Sequence, residues 1–155
     1  MKAAHDIVDE QAMAAFGAAL AAACEAAGLC VIYLIGELGA GKTTLVRSML
    51  RAMGWQGPVK SPTYTLIESY DVAGRPVHHL DLYRLSDPDE LAFLGLRDLL
   101  QSTAMVLVEW PQRGEGALPA ADVIVAIEYA DQGRRMTVTA QSAVGEQMIR
   151  QLGER

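Results

Sequence analysis

The chain has 155 residues, a net charge of −6 and a mean hydropathy of +0.15, and we expect residues 1–155 to form a single domain with one buried core. The acidic balance argues against a surface that grips nucleic acid by its own charge. No apolar run approaches the roughly 20 residues needed to cross a bilayer. The acidic start of the chain is also unlike a targeting peptide, so we expect a cytoplasmic protein without membrane contact.

Apolar periodicity and turn residues predict helices and strands that alternate along the chain. The predicted helices cover 9–27, 43–53, 86–100 with a break at Gly95, and 143–152. The predicted strands cover 30–35, 64–70, 77–82, 105–109, 123–129 and 136–140. Residues 71–76 are predicted to form the turn of a hairpin between the second and third of these strands.

The two cysteines, Cys24 and Cys30, have neither the spacing of metal ligands nor the density of a disulfide-stabilised scaffold. Free cysteines are among the most buried residue types. We therefore expect two free core thiols in a reducing compartment.

A glycine-rich segment, Gly-Glu-Leu-Gly-Ala-Gly-Lys-Thr-Thr at 36–44, follows the predicted strand 30–35 and matches the P-loop pattern at Gly36, Gly41, Lys42 and Thr43. Glycines let backbone N–H groups approach phosphates, and the next helix adds the positive end of its dipole. The residues expected to bind ATP here are Glu37, Leu38, Gly39, Ala40, Gly41, Lys42, Thr43 and Thr44. With the order of elements, this motif predicts an α/β fold, a P-loop NTPase-like three-layer sandwich with a mixed central sheet.

Two acidic residues are candidates for the rest of a magnesium site, because such sites use an acid at the end of a strand. Glu109 ends the apolar strand 105–109, directly before Trp110. Asp81 lies on the same strand face as His79 and Tyr83, since side chains alternate along a strand. We interpret His79 itself as an ordinary strand residue with a satisfied hydrogen bond, without a catalytic role.

The segment after the P-loop helix is a candidate for a switch-like loop ordered by the γ-phosphate. Its residues are Ser61, Pro62, Thr63, Tyr64 and Thr65. From these residues alone, a plain β-turn is an equally good interpretation. Trp110 is likewise open between a contact with the nucleotide and a place in the core.

The residue types favour ATP over GTP. The chain contains no asparagine, so it lacks the Asn-Lys-x-Asp signature with which Ras-like GTPases recognise guanine. Asp71 and Gly74 match an Asp-x-x-Gly motif. They fall in the predicted hairpin turn, however, where aspartate and glycine are expected because they favour turns.

Four segments in register, 36–44, 60–66, 79–85 and 108–111, resemble the TsaE (YjeE) family, and the similarity extends over 9–134. The family comprises small bacterial ATPases needed to form N6-threonylcarbamoyladenosine at position 37 of tRNAs that read codons beginning with A. The resemblance implies partnership with TsaB and TsaD, contact with tRNA only through these partners, and a role in resetting the TsaB–TsaD complex between turnovers.

The resemblance also implies roles for residues. It places Lys42 on the phosphates, Thr43 and Glu109 on Mg²⁺, and Asp81 on water or, through water, on the metal. It implies that the 61–65 segment is the nucleotide-responsive loop. Adenine contacts would fall near Gln11 and Arg134. Hydrolysis is expected to be Mg²⁺-dependent and slow without partners.

Two other functions remain open on the residues. A small-molecule kinase shares the P-loop but usually adds an arginine-rich lid, whereas the chain has one adjacent basic pair, Arg134 and Arg135. A nucleotide-dependent binding module would use ATP to order the 61–65 segment without turnover. Only a hydrolase releases free phosphate, a kinase needs an acceptor to make ADP, and a binding module makes neither product.

Overall fold

A mixed β-sheet of seven strands forms the centre of the computed structural model, which describes residues 1–101 and 103–153. The strands are β1 (Lys2–Ile7), β2 (Cys30–Ile35), β3 (Ile67–Val72), β4 (Arg75–Asp81), β5 (Met105–Glu109), β6 (Val123–Tyr129) and β7 (Arg134–Ala140). Their spatial order is β1-β7-β6-β2-β5-β4-β3. The pairs β2–β5, β2–β6 and β4–β5 are parallel, and the remaining pairs are antiparallel.

Helices cover both faces of the sheet. They are α1 (Glu10–Glu25), α2 (Lys42–Ala52), α3 (Glu90–Phe93), α4 (Leu96–Leu99) and α5 (Ala143–Gly153), and Pro111–Gly114 forms a single 3₁₀ turn. Residues of α1, α2 and α5 share one apolar cluster, and those of α3 and α4 belong to a second. The predicted three-layer α/β sandwich with a mixed sheet is therefore confirmed.

The strand β2 shows how the sequence specifies these two layers. Cys30, Ile32 and Leu34 lie in the cluster with α1, α2 and α5, whereas Val31 and Tyr33 lie in or against the other. Successive side chains of a strand point to opposite faces. A continuous apolar run is therefore what a central parallel strand covered on both sides requires.

The parallel register brings the ends of three strands together. Asp81 at the end of β4 is the register partner of Glu109 at the end of β5, and Leu34 near the end of β2 pairs with Glu109 on the other side. Ligands in sheets of this kind bind beyond the carboxyl ends of the strands. The fold thus places both candidate acids at the edge from which the 36–44 loop leaves.

The largest difference from the sequence prediction is β1, which was not predicted. It pairs antiparallel with β7, with Ala4 opposite Thr137. Its alanine, aspartate and lysine residues are depleted in strands in general, so local preference does not reveal it. Pairing with a distant strand at the edge of the sheet supplies its backbone hydrogen bonds instead.

The first hairpin begins later and turns more tightly than predicted, and the predicted turn at 71–76 is wrong, because residues 71–72 belong to β3 and residues 75–76 to β4. Residues 63–66 form a helical turn closed by a hydrogen bond from Leu66 N to Pro62 O, so β3 begins only at Ile67. The turn between β3 and β4 is the pair Ala73-Gly74, with φ of 53° and 87°. Two residues with positive φ are typical of a tight hairpin turn that matches the twist of the strands.

The expectation of free thiols is wrong. Cys24 in α1 and Cys30 at the start of β2 are joined as a disulfide, with Cα atoms 6.1 Å apart. The chain reverses direction between the helix and the strand, which brings the two residues into the range that a disulfide needs. Their expected burial is confirmed, since both side chains are inaccessible. A reducing compartment, which was inferred from free thiols, loses that support.

Within the described ranges, the structure contains no helix of the length and apolarity that would span a membrane.

We predict that His78 makes stability depend on pH. Burial lowers the pKa of His78, its Nδ1 shares a hydrogen bond with Ser69 Oγ at 2.7 Å, and its register partners Ser69 and Val106 are uncharged. His78 therefore binds a proton more readily in the unfolded chain than in the folded chain. The free energy of unfolding should be highest above the ordinary histidine pKa of about 6.5 and fall as the pH falls below it.

Replacing His78 with glutamine should flatten this dependence, because glutamine does not titrate. Urea unfolding at several values between about pH 7.5 and pH 5 brackets the ordinary pKa and measures the effect. Equal loss of stability in the native chain and in His78→Gln would contradict the assignment.

Candidate functional site

The 36–44 loop connects the end of β2 to the start of α2 by a backbone that only glycine adopts easily. Gly41 precedes α2 with φ of 118°, and no side chain of the described residues caps the helix. The first N–H groups of α2 are therefore available to a ligand. Gly36 has a different constraint, since a Cβ atom there would lie 2.8 Å from the carbonyl oxygen of Ile127 in β6.

The side chain of Lys42 points back into this loop. Its Nζ donates a hydrogen bond to Gly36 O at 2.6 Å and lies 4.2 Å from the centre of the Trp110 ring. The residue is only 5% exposed. Burial lowers the pKa of Lys42, while the charges of Glu109 and Asp81 act in the opposite direction. Trp110 thus lies beneath the lysine, where indole and ammonium attract each other.

Both candidate acids and three threonines line one cavity of about 260 Å³. Thr43 Oγ1 donates to Glu109 Oε2 at 3.3 Å, and Thr63 Oγ1 donates to Asp81 Oδ2 at the same distance. Asp81 Oδ1 also accepts a hydrogen bond from the N–H of Tyr83. Further residues of the cavity wall are Leu38, Gly39, Gly41, Lys42, Thr44 and Trp110. The structure therefore brings together Lys42, Thr43, Asp81 and Glu109.

The donor set of this cavity fits a magnesium ion bound together with phosphates. Mg²⁺ prefers oxygen donors and usually binds through one or two carboxylates and substrate phosphates. Thr43 supplies a hydroxyl, and Asp81 and Glu109 supply carboxylates. Lys42, in the same cavity wall, adds a cation that suits a phosphate ligand.

The expected hydrogen bond of His79 is present, but sequence reasoning did not identify Glu109 as its partner. Its Nε2 lies 2.5 Å from Glu109 Oε2, and the side chain is inaccessible to solvent. His79 and Asp81 share one face of β4, as predicted. Glu109, on the neighbouring parallel strand β5, reaches the same face. The signal available in the sequence was the spacing His79-x-Asp81 beside a strand that ends in an acid.

A second cavity, of about 300 Å³, also adjoins the loop. It is lined by Ile7, Val8, Asp9, Glu10, Met13, Gly39, Ala40, Gly41, Thr44, Gly133 and Arg134. Arg134 Nε donates to Ala40 O at 2.8 Å, and its guanidinium lies 4.3 Å from the Tyr129 ring. Gln11 is exposed on the first turn of α1, beside the wall residues Glu10 and Met13. The unpredicted strand β1 contributes Ile7 to this wall.

The 61–65 segment reaches the first cavity through one residue. Thr63 contacts Asp81 and also pairs with Ser61 Oγ at 2.8 Å. Tyr64 is 79% exposed and stacks beneath the guanidinium of Arg84. Thr65 donates to Glu68 instead. Pro62 is buried, and its carbonyl closes the turn that ends in the left-handed Leu66.

Glu37 and Leu38, at the outer side of the loop, are exposed. Glu37 lines a third cavity with Gly36, Lys42, Trp110 and Gln112. Leu38 lies at the wall of the acidic cavity, as does the exposed Thr44.

Comparisons with known proteins agree on one family. The family model described as "Threonylcarbamoyl adenosine biosynthesis protein TsaE" matches residues 7–137. A Haemophilus influenzae protein named tRNA threonylcarbamoyladenosine biosynthesis protein TsaE is 51% identical over 119 residues, which cover 77% of this chain and 75% of that protein. A Bacillus subtilis protein of the same name is 38% identical over 111 residues, with coverage of 71% and 69%.

A comparison of structures agrees with the family match. The crystal structure of Bacillus subtilis YdiB matches with a TM-score of 0.78 at 29% identity, covering 99% of this chain and 94% of that chain. The match to the family extends over most of the chain, including the 36–44 loop, Asp81 and Glu109. The resemblance carried by the four sequence motifs is therefore confirmed, and the chain belongs to the TsaE family.

Proposed function

We propose that this protein binds ATP with Mg²⁺, hydrolyses it, and in this way drives a step in the formation of N6-threonylcarbamoyladenosine in tRNA. The observation that carries the proposal is the single cavity that joins the glycine-rich loop to two buried carboxylates. Lys42, Asp81 and Glu109 are each less than about a tenth exposed there. Phosphoryl transfer depends mainly on positioning and on charge stabilisation, which such a cavity can supply.

Each of these residues has a proposed role. Lys42 leaves the carbonyl of Gly36 and binds the β- and γ-phosphates as a compact charge. Thr43 and Glu109 are the residues that would hold Mg²⁺, which supplies charge neutralisation to the phosphates. Asp81 orients the attacking water or binds the metal through water, and its contact with Thr63 keeps its carboxylate aligned. The N–H groups of the loop and of the start of α2 bind the remaining phosphate oxygens.

The second cavity is the proposed place of the adenosine part. It adjoins the loop at Gly39, Ala40 and Gly41, and the apolar side chains of Ile7 and Met13 form part of its wall. The remaining proposed contacts are Glu37, Leu38 and Thr44 of the loop, Arg134 in the wall and Gln11 at its margin.

The names of the relatives support a role in tRNA threonylcarbamoyladenosine formation, and an exposed segment beside the cavity supports contact with a partner protein. Both quoted relatives are named for tRNA threonylcarbamoyladenosine biosynthesis. We infer that the partners are TsaB and TsaD, that tRNA contacts this acidic chain only through them, and that hydrolysis resets their complex. Thr63 contacts Asp81 and is followed in the chain by the exposed Tyr64. The 61–65 segment therefore connects the proposed phosphate site to a surface to which a partner could bind. P-loop hydrolases gain about 10³–10⁵ in rate when a partner adds a charge or orders a loop.

We predict that Lys42→Ala strongly weakens nucleotide binding. The variant loses a charge-assisted contact worth about 1.5–3 kcal/mol, which corresponds to roughly 10–150-fold in affinity. Isothermal titration with ATP and ADP measures the change. The matched control is Lys60→Ala, because Lys60 is exposed and does not line either cavity. Equal affinities in the two variants would refute the role of Lys42.

We predict that Glu109→Ala retains ADP binding but loses hydrolysis by about 10²-fold, because it removes a ligand of the Mg²⁺ that would neutralise charge on the reacting phosphates. The release of free phosphate without an added acceptor measures turnover. The control is Glu115→Ala, which changes an exposed glutamate outside the cavity. Normal turnover in Glu109→Ala would show that the metal assignment is wrong. ADP formation only with an acceptor would favour the kinase, and no turnover in the native chain with TsaB and TsaD present would favour the binding module.

The proposed pathway predicts that depletion of this protein lowers threonylcarbamoyladenosine in bulk tRNA. Mass spectrometry of tRNA nucleosides measures the modification. Expression of the native chain should restore it, whereas Lys42→Ala should not, because the step needs the nucleotide site. Unchanged levels after depletion would exclude the pathway role.

A further inference from the structure

The buried pair His79 and Glu109 has a geometry that the proposed roles do not yet use. The two residues lie on the neighbouring parallel strands β4 and β5, and the imidazole Nε2 reaches the carboxylate Oε2 at 2.5 Å. Because a carboxylate that is ionised only accepts hydrogen bonds, we assign the shared proton to Nε2. Both side chains are nearly inaccessible, at 0% for His79 and 4% for Glu109.

The hydrogen bonds to this carboxylate are unevenly distributed. Within the described part of the chain, the side chains of His79 and Thr43 both donate to Oε2 of Glu109. The Thr43 bond is the longer, at 3.3 Å, and in the proposed function the Thr43 hydroxyl turns to the metal. His79 is then the side chain that continues to hold Oε2, which leaves Oε1 for the ligand.

A carboxylate at the end of a glutamate side chain needs such a contact. Its last torsion is broad, because the bond joins a tetrahedral and a planar carbon and has no sharp minima. A hydrogen bond to one oxygen removes this freedom. His79 Nδ1 is buried without a hydrogen-bond partner among the described residues. The contact with Glu109 is therefore the one that orients the ring.

We propose that His79 is a positioning residue that fixes the rotation of the Glu109 carboxylate so that Oε1 faces the nucleotide cavity. The inference rests on the proposed ATPase function. Among the described residues His79 is not part of the cavity lining, and its side-chain hydrogen bond goes to Glu109, which is, so it acts through Glu109. Side chains that orient a metal ligand in this way typically contribute about 10–100-fold to metal affinity or activity.

Two amide variants separate positioning from packing. The amide nitrogen of glutamine reaches approximately the place of Nε2, whereas that of asparagine reaches only the place of Nδ1. We expect His79→Asn to lower kcat by about 10–100-fold and to raise the Mg²⁺ concentration at half-maximal rate, while His79→Gln stays within about threefold of the native chain. Affinity for ADP in EDTA should be unchanged in both variants, because His79 does not contact the nucleotide.

His78→Gln is the matched control. It makes the same change one residue earlier in β4, on the face that contacts Ser69 rather than Glu109. It should leave kcat and the Mg²⁺ dependence unchanged. Thermal unfolding of every variant checks that the fold is retained.

The outcomes distinguish the inference from the proposed function. Equal losses in His79→Asn and His79→Gln, or an unchanged Mg²⁺ dependence in His79→Asn, would overturn the positioning role. A native chain that does not hydrolyse ATP with TsaB and TsaD would instead refute the ATPase function. In that case, the gain in ATP affinity on adding Mg²⁺ is compared between the native chain and the two His79 variants. A gain that is smaller only in His79→Asn supports the positioning role. Equal gains in all three, or no gain in the native chain, overturn it.

A second measurement needs no substitution of His79. In the native protein, the Nε2 proton of His79 should appear in nitrogen-edited NMR spectra as a slowly exchanging resonance, because it is buried and bonded to a carboxylate. Glu109→Ala should remove or strongly shift it. A rapidly exchanging proton, or one that Glu109→Ala leaves unchanged, would overturn the inference even where His79→Asn fails to fold.

Discussion

The parallel pairing of β2, β5 and β4 is the constraint on which the candidate site depends. Parallel strands end at the same edge of a sheet, so the loop that follows β2 meets the acids that end β4 and β5. Asp81 and Glu109 are direct register partners, although 27 residues separate them in the chain. A shift of one residue in this register would turn one of the two acids to the other face.

This arrangement concentrates charge on side chains that are themselves buried. Two carboxylates and one ammonium line the same cavity, and a low local dielectric strengthens their interactions. Burial lowers the pKa of Lys42, and the two acids oppose that effect. The hydrogen bonds of Thr43, Thr63 and His79 stabilise the acids, because a buried carboxylate without donors would be costly. The cavity therefore combines charge for a phosphate ligand with internal contacts that keep its side chains in place.

The same contacts connect the cavity to the surface. Thr63 belongs to a short turn that ends at Leu66, a residue with a left-handed φ of 69°. Non-glycine residues adopt this conformation at an energetic cost, which neighbouring contacts must offset. The N–H of Asp81 donates to the carbonyl of Leu66, so the strained residue is tied directly to the strand that carries the acid. In the proposed function, this hydrogen bond would connect a change at Asp81 to the turn that contains the exposed Tyr64.

Most of the fold followed from patterns that are local in the chain. The apolar run 30–35 and the run that ends in Glu109 predicted central strands, and Gly95 marked the break between α3 and α4. The strand β1 could not be predicted because its pairing with β7 comes from a distant part of the chain. The disulfide between Cys24 and Cys30 was missed for a related reason, since it depends on how the chain reverses between a helix and a strand.

The sequence by itself determined the family, the alternation of helices and strands, and the residue types of the candidate site. A P-loop motif is contiguous, so the spacing of its glycines, lysine and threonine is visible without a structure. Only the tertiary structure decided which residues meet. It aligned Asp81 with Glu109, brought Thr63 to Asp81 and gave His79 its partner, because contacts between parallel strands depend on register and not on distance along the chain.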